Sequence, residues 1–302
     1  MRAAFFREVP TPHAPVRRGG ACGRRAGRTL LLASMLVGVA GATRAQAPSE
    51  PDLRTGKGFI PTPSFSADED QKLLALFSGL RVADVTDGMD AVGLQNVGLM
   101  DPEIRPLWKD TKTYTHRFIG IAVTARYVPT NRPAAGRRPV AEYDRWASDW
   151  YNQLSSEPFQ ALIRPGTALV LDDASRADVG SIGSNNILSM KLKGMAGLVT
   201  DATARDTDEI VTEHVPLYFR RTGRGIRPGR NEIESVNRPV VCGGVLVVPG
   251  DVIVADGDGV VVVPRAVAAD VAAYAHGILE ADKKGRRGLY EKLGLPVDPS
   301  VE

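Results

Sequence analysis

The stretch 168-ALVLDDASRADVGSIGSNNILSMKLKGMAGLVTDATARDTDEIV-211 holds a whole β-α-β unit, with its polar residues crowded at the turns. An apolar run at 169–171 predicts a strand, and a polar loop containing Gly180 and Gly183 follows it. A helix is expected to start near Asn185 or Asn186 and to turn Ile187, Leu188, Met190 and Leu192 inward. Gly194 ends that helix, Gly197 permits a close approach of the chain, and 198–200 is short and apolar enough for a buried strand. The strand is expected to deliver Asp201, Arg205 and Asp206 into one loop. Carboxylates and a guanidinium just past a buried parallel strand lie where open α/β structures place their ligands.

The whole chain sets the bounds. Its 302 residues suit one large domain or two small ones, and 43% hydrophobic content is ordinary for a globular protein. The formal charge of +3 invites a nucleic-acid reading, but the excess sits at the N-terminus. Residues 1–47 carry eight of the 38 Lys and Arg and one of the 35 Asp and Glu, so the rest holds 30 bases against 34 acids. A basic region, an apolar run at 30–40 and Ala45-Gln46-Ala47 together predict an export signal at 1–47. The run is too short for a stable membrane anchor, and Arg24-Arg25 leaves twin-arginine export open beside general secretion. A periplasmic protein with no nucleic-acid partner and no membrane anchor after cleavage is therefore expected. Cys242, beside Gly243-Gly244 in an apolar run, reads as a buried unpaired thiol.

Residues 48–66 read as a flexible linker, and 67–302 as one domain. Ser66 and Asp68 can cap a helix over 69–77, whose apolar face is Leu73, Leu74, Leu76 and Phe77. A second helix over 82–92 lines up Asp84, Asp87 and Asp90 at i, i+3 spacing, either as a solvated face or with Asp87 turned into a cleft. Residues 118–127, FIGIAVTARY, alternate as a strand with one buried face. Trp146, Trp150 and Tyr151 form a stripe on a helix over 143–154, read as core or subunit contact. The Gly- and Arg-rich stretch 220–230 reads as a solvated or interface loop, with Glu232 and Glu234 as partners. The run from Val240 to Pro264, with turns at Pro249-Gly250-Asp251 and Asp256-Gly257-Asp258-Gly259, predicts a barrel or sandwich layer. A closing helix is expected over 266–282, and His116, His214 and His276 show no ligand spacing.

The chemistry gathers at the central unit. First-turn amides of the crossover helix are free donors, and the helix dipole favours an anion there. A bound carboxylate would take amide hydrogen bonds near Asn185 and Asn186 and a paired contact from Arg205. Asp206, with waters, would suit Mg²⁺ or Mn²⁺, and such an ion would stabilise the enolate formed when a bond next to a 2-oxo acid breaks. A purely structural Arg205–Asp206 ion pair is the competing reading.

The stretch 180–210, GSIGSNNILSMKLKGMAGLVTDATARDTDEI, with VNRPVVCGGVLVVPGDVIVADGDGVVVVP at 236–264, resembles the RraA-like family, which includes 4-hydroxy-4-methyl-2-oxoglutarate aldolases. The likeness spans 80–293. It implies an α/β, swivelling β/β/α fold of the phosphohistidine-domain type, with a β-sandwich or barrel layer and flanking helices. It also implies homotrimers or homohexamers with active sites between subunits. By the same resemblance Arg205 binds the pyruvate-like part of a 2-oxo acid, Asp206 leads to the divalent metal, and the amides of Gly183, Ser184, Asn185 and Asn186 hold the carboxylate. Asp87 matches a family acid and becomes the candidate for proton handling. The chain departs from the aldolases at Ser184, Asn185 and Asn186, where they carry an acid followed by apolar residues, and at Ala202, where they carry glycine.

The leading expectation is a metal-dependent lyase that cleaves a 4-hydroxy-2-oxo dicarboxylic acid and also decarboxylates oxaloacetate. The alternatives are a non-catalytic RraA-like protein-binding regulator and an exported organic-acid binder.

Overall fold

The computed structural model describes residues 49–56, 59–114, 116–133, 136–173 and 178–302, so the export signal expected at 1–47 lies outside the described residues. The chain divides into Met1–Glu50 and Pro51–Glu302, and the second unit carries the fold. In order come α1 (Glu50–Arg54), α2 (Ala67–Leu76), α3 (Val82–Ala91), β1 (Arg105–Pro106), β2 (Phe118–Pro129), α4 (Val140–Gln153) and β3 (Thr167–Asp173). They are followed by α5 (Ser184–Leu192), β4 (Gly197–Ala204), α6 (Thr207–Thr212), β5 (Leu217–Thr222), β6 (Asn231–Val236), β7 (Val240–Cys242) and β8 (Val245–Val247). The hairpin β9 (Val252–Asp256) and β10 (Gly259–Val263) leads into α7 (Ala268–Leu293). No helix among the described residues is long and apolar enough to cross a membrane.

One eight-stranded sheet runs β1-β5-β4-β3-β2-β9-β10, with β6 also paired to β2. Strands β2, β3, β4 and β5 are mutually parallel. All seven residues of β3 are buried, as a parallel strand covered on both faces requires. Leu169 and Leu171 join the layer that receives Ile187 and Met190 of α5, while Ala168 and Val170 join the opposite layer with Val199, Tyr218 and Val262. Strand β2 is long enough to give one edge to two partners: its first residues pair with β9 and its last with β6, around an irregularity at Arg126/Tyr127. Both of its faces carry buried residues, rather than the one its alternation suggested.

The sheet curls until it nearly closes, giving the mixed α/β architecture with a barrel-like layer and flanking helices that the sequence implies. Leu99 bridges Val261 of β10, Met100 N–H donates to Val260 O at 3.1 Å, and Val262 N–H donates to Gly98 O at 2.8 Å. The hairpin β9–β10 thus extends the same sheet, and only β7–β8 forms a separate two-stranded piece. Helices α2, α3 and α7 cover the β9–β10 side, where Val85, Met89, Val271, Ala272 and Ala275 pack against Val254, Val261 and Val263. Cys242 is a buried free thiol in the interior layer, as expected.

Several local expectations change. Helix α2 begins at Ser66, whose hydroxyl accepts from Glu69 N–H while the Glu69 carboxylate accepts from Ser66 N–H, a complete capping box. Leu76, expected on its apolar face, is exposed. The stretch read as a linker contains α1, and Phe65 at its end lies under the Arg265 guanidinium at 3.6 Å. Helix α7 continues through the basic stretch to Leu293, because Lys and Arg are good helix formers and the first left-handed glycine is Gly294.

Gly98 tests the closure. Its φ is +79°, and a Cβ there would strike the Val262 carbonyl oxygen. Gly98→Ala is expected to cost about 2 kcal/mol from the left-handed conformation alone, before any clash. Urea unfolding would reveal it, and an unchanged midpoint would show that the closing contact has slack.

Candidate active site

The segment 178–183, just ahead of α5, is strapped to the end of β4. Ser181 N–H donates to Thr203 O at 3.1 Å and Arg205 N–H to Ile182 O at 3.0 Å. A second strap comes from the Gly/Arg stretch, where Gly180 N–H donates to Gly225 O at 2.9 Å and Gly225 N–H to Asp178 O at 3.0 Å. With Val179 and Ile182 buried, this polar-looking loop is fixed from both sides.

The straps lay the Arg205 stem over Gly180, where a Cβ would meet Arg205 Cβ and Cγ at 2.6 Å. Asp206 is likewise pressed against Gly183, the residue before the first turn of α5. Asp206 has φ of 56° and ψ of 41°, a left-handed conformation. Its carboxylate does not cap its own helix α6; Oδ2 instead accepts the Ser184 N–H that opens α5, at 3.2 Å. Arg205 Nε stands 3.7 Å from the same oxygen, and both side chains are 36% exposed. The three features expected to meet, guanidinium, carboxylate and helix N-terminus, do meet.

They line a cleft of about 490 Å³ that also takes in Tyr151, Asn152, Ser156, Glu157, Gly180, Ser181, Gly183, Asn185, Asn186 and Arg227. Its far wall was not foreseen. Arg227, expected in a solvated loop, is buried between the Tyr127 and Tyr151 rings, 5.1 and 5.2 Å from their centroids. It donates to Tyr127 Oη and Glu157 Oε1, each at 2.7 Å. Glu157 Oε1 also accepts from Asn186 Nδ2 at 2.6 Å, while Asn185 is exposed. Glu232, expected to partner the arginine-rich stretch, instead bonds Thr130 and Arg132. Below the cleft, buried Asp173 accepts from Ser181 Oγ and Asn231 Nδ2.

Other expected residues lie elsewhere. Asp87 is exposed on α3, outside the residues lining the cleft, because α3 packs on α7 and the β9–β10 side of the sheet. Asp84, on the same helix, is buried and paired to Arg81 at 2.6 Å. Asp201 belongs to β4 itself, and its carboxylate accepts from Gly243 N–H, away from Arg205. Leu188 and Leu192 of α5 are exposed, leaving Ile187 and Met190 as its inward pair. His116 is buried against Trp108 and Tyr218; burial holds it near pKa 4, and its Nε2 accepts from Leu217 N–H. Asp172 faces away from the cleft beside Arg126, and burial followed by repulsion from Asp201 pushes it up to about 6.

Among the described residues no group of three or more His, Cys, Asp and Glu is placed to hold a metal ion. Of the two carboxylates that line the cleft, Glu157 is taken up by Arg227, Asn186 and Gln160, which leaves Asp206 as the carboxylate donor. One hard oxygen ligand suits a hydrated Mg²⁺ or Mn²⁺ that takes its other positions from water and a bidentate ligand, and does not suit a closed protein cage.

A family model described as RraA-like, Aldolase/RraA, matches residues 82–262. The chain is 27% identical over 214 residues to Protein DlpA of Legionella pneumophila, covering 69% of this chain and 31% of that protein. It is 37% identical over 105 residues to a protein of Halalkalibacterium halodurans named "Putative 4-hydroxy-4-methyl-2-oxoglutarate aldolase", covering 33% and 48%. The chain thus spans less than half the length of these two curated relatives. Its fold resembles that of an uncharacterized protein from Pseudomonas syringae, with TM-score 0.55, 24% identity and coverage of 81% and 100%. It also resembles RraAS2 of Streptomyces coelicolor, described as an unusual member of the RNase ES inhibitor RraA protein family, with TM-score 0.56, 24% identity and coverage of 75% and 99%.

Two outcomes test this geometry. In Gly183→Ala the new methyl would displace the Asp206 carboxylate, and loss of its bond to Ser184 N–H is expected to cost about 1–2 kcal/mol. Ser184→Ala keeps the amide and should leave the unfolding midpoint in place. For Asp172, a folded pKa raised above the ordinary carboxylate value means that the folded state binds the proton more tightly than the unfolded chain. Its contribution is therefore best at low pH and is lost as pH rises from about 4 through about 6. Asp172→Asn should raise the melting temperature at pH 7.5 and change it little at pH 4; a larger gain at pH 4 would reverse that sign.

Proposed function

The chain belongs to the RraA-like family, and from that premise we propose that it is a divalent-metal-dependent lyase acting on a 4-hydroxy-2-oxo dicarboxylic acid, with oxaloacetate decarboxylation as the related reaction. The observation that carries this reading is the meeting of Arg205, Asp206 and the N-terminus of α5 around one cleft. The H. halodurans relative's name points the same way.

The substrate's 1-carboxylate would take the amides of Asn185 and Asn186, next to the Ser184 amide that Asp206 holds, where the helix dipole adds attraction. Arg205 would hold the 2-oxo oxygen and stabilise the negative charge that gathers there as the adjacent bond breaks. In the aldol cleavage the C3–C4 bond breaks, the 4-hydroxyl loses its proton and C4 becomes a carbonyl. The electron pair passes into the enolate of pyruvate. Oxaloacetate reaches the same enolate when its C3–C4 bond breaks and carbon dioxide leaves. A bound Mg²⁺ or Mn²⁺, approached through Asp206, would supply Lewis-acid stabilisation of the 2-oxo acid oxygens. Asp206 is suited to that post because its left-handed backbone and the Ser184 amide fix the carboxylate at the cleft.

Asp87 is not on the walls of this cleft, so a role in proton handling would need a second copy of the chain to bring it there. That is the assembly the homotrimer or homohexamer expectation supplies. The periplasm remains the proposed location, on the signal at 1–47.

The reading with the best competing support is a binder without turnover, favoured by Ser184 in the place of the family acid. Pyruvate release separates the two. The protein incubated with oxaloacetate or 4-hydroxy-4-methyl-2-oxoglutarate should release pyruvate with Mg²⁺ or Mn²⁺ and stop when the metal is chelated. Arg205→Ala should lower kcat/KM by about 10²–10³. Turnover that ignores both chelation and the Arg205 change would reject the mechanism.

A further inference from the structure

The far wall of the cleft ends in one side chain whose orientation is decided by chemistry rather than by packing. Glu157, as a carboxylate, can only accept hydrogen bonds, so the group Asn186 presents to its Oε1 at 2.6 Å must be the amide nitrogen. The planar amide then carries Oδ1 on its other branch. Asn186 lines the cleft, and its Oδ1 makes no hydrogen bond to the described residues. Glu157 is itself held: Oε1 accepts from Arg227 and Oε2 from Gln160, and its side chain is 10% exposed. Arg227 in turn is clamped between two tyrosine rings and bonded to Tyr127 Oη. The cleft is thus offered a hydrogen-bond acceptor that cannot turn into a donor.

A fastening role alone would not require this arrangement. Helix α5 is already tied to the turn at Pro158–Ala161 by Ser189 Oγ to Gln160 Oε1 at 3.3 Å and by Lys193 Nζ to Gln160 O at 3.1 Å. The Asn186–Glu157 bond adds a third tie, the one that reaches the cleft.

We propose that Asn186 is a specificity-determining residue, with Glu157 and Arg227 as its positioning residues, and that its fixed Oδ1 accepts a hydrogen bond from the 4-hydroxyl of the substrate. This rests on the reading of the cleft as a 2-oxo acid site and assigns the residue that tells 4-hydroxy-2-oxo acids from 2-oxo acids that lack that hydroxyl. The 4-hydroxyl is the group that must lose its proton in the aldol cleavage, whereas decarboxylation has no such proton to orient. Asn186 therefore bears on one reaction and not the other.

The test compares kcat/KM for 4-hydroxy-4-methyl-2-oxoglutarate and for oxaloacetate in the full chain with Mg²⁺, using Asn186→Leu and Glu157→Gln. Removing one neutral hydrogen bond should lower the hydroxy-acid to oxaloacetate ratio of kcat/KM about tenfold in Asn186→Leu. Glu157→Gln frees the amide to turn and should lower the ratio in the same direction. Should Glu157→Gln fail to fold because Arg227 loses its buried partner, Asn186→Leu, on the half-buried cleft wall, carries the comparison by itself. Equal losses on both substrates in folded Asn186→Leu overturn the inference while leaving the lyase reading standing. No pyruvate from either substrate with the unaltered protein overturns the lyase reading and this inference together.

Discussion

The geometry depends on a short backbone pairing between the loop that leaves β3 and the end of β4. Bonds from Ser181 N–H to Thr203 O and from Arg205 N–H to Ile182 O hold the two ends of one β-α-β unit side by side. A crossover helix ordinarily separates the strand it leaves from the strand it joins. Here the loop is drawn across as an extra edge, so the first turn of α5 and the residues following β4 share one place. The glycines at 180 and 183 are the condition for that closeness, because a side chain at either would occupy the space of Arg205 or Asp206.

Asp206 shows what the closeness demands. A non-glycine residue in the left-handed region is strained by about 1–3 kcal/mol. An aspartate ahead of a helix usually recovers energy by capping that helix. Asp206 gives up its own cap on α6 and uses its carboxylate on α5, across the β-α-β unit. The charged hydrogen bond and the positive end of the longer helix α5 offset the backbone cost.

Much of this was legible in the sequence, and the limits have physical causes. The strands read at 169–171 and 198–200 and the helix read from near 185 follow from apolar runs punctuated by glycine, a local signal, while pairing in the sheet carries the strands on to Thr167–Asp173 and Gly197–Ala204. The inward face of α5 was over-read: apolar residues at 187, 188, 190 and 192 cannot all face one way on a nine-residue helix, and only 187 and 190, three apart, do. The far wall was invisible for another reason. Glu157 and Arg227 are 70 positions apart, and neither stands in a pattern that distinguishes it from a surface charge. For Asp87 the spacing left a solvated face and a cleft both open, and its exposure on α3 fits the first; which way α3 lies on the sheet is settled by Gly88, Val271 and Ala275, where the two helices touch.

The two arginines of the cleft divide its work. Arg227 is buried, its Glu157 partner lies 2.7 Å away, and two aromatic rings flank its guanidinium. A buried pair of this kind is strongly destabilised when one partner is removed, so it does not trade partners with a passing ligand. Arg205 stands 3.7 Å from Asp206 and is open to solvent, a separation at which an exposed pair holds with little energy. A carboxylate or carbonyl oxygen entering the cleft can therefore take over Arg205 at small cost, and it would leave Asp206 still bound to the Ser184 amide. One wall keeps its charges locked and presents a neutral amide, and the other keeps a guanidinium in reserve. An anionic ligand is accordingly drawn to the β4 wall and meets fixed polar groups on the wall held by Glu157 and Arg227, which sets the direction in which it lies.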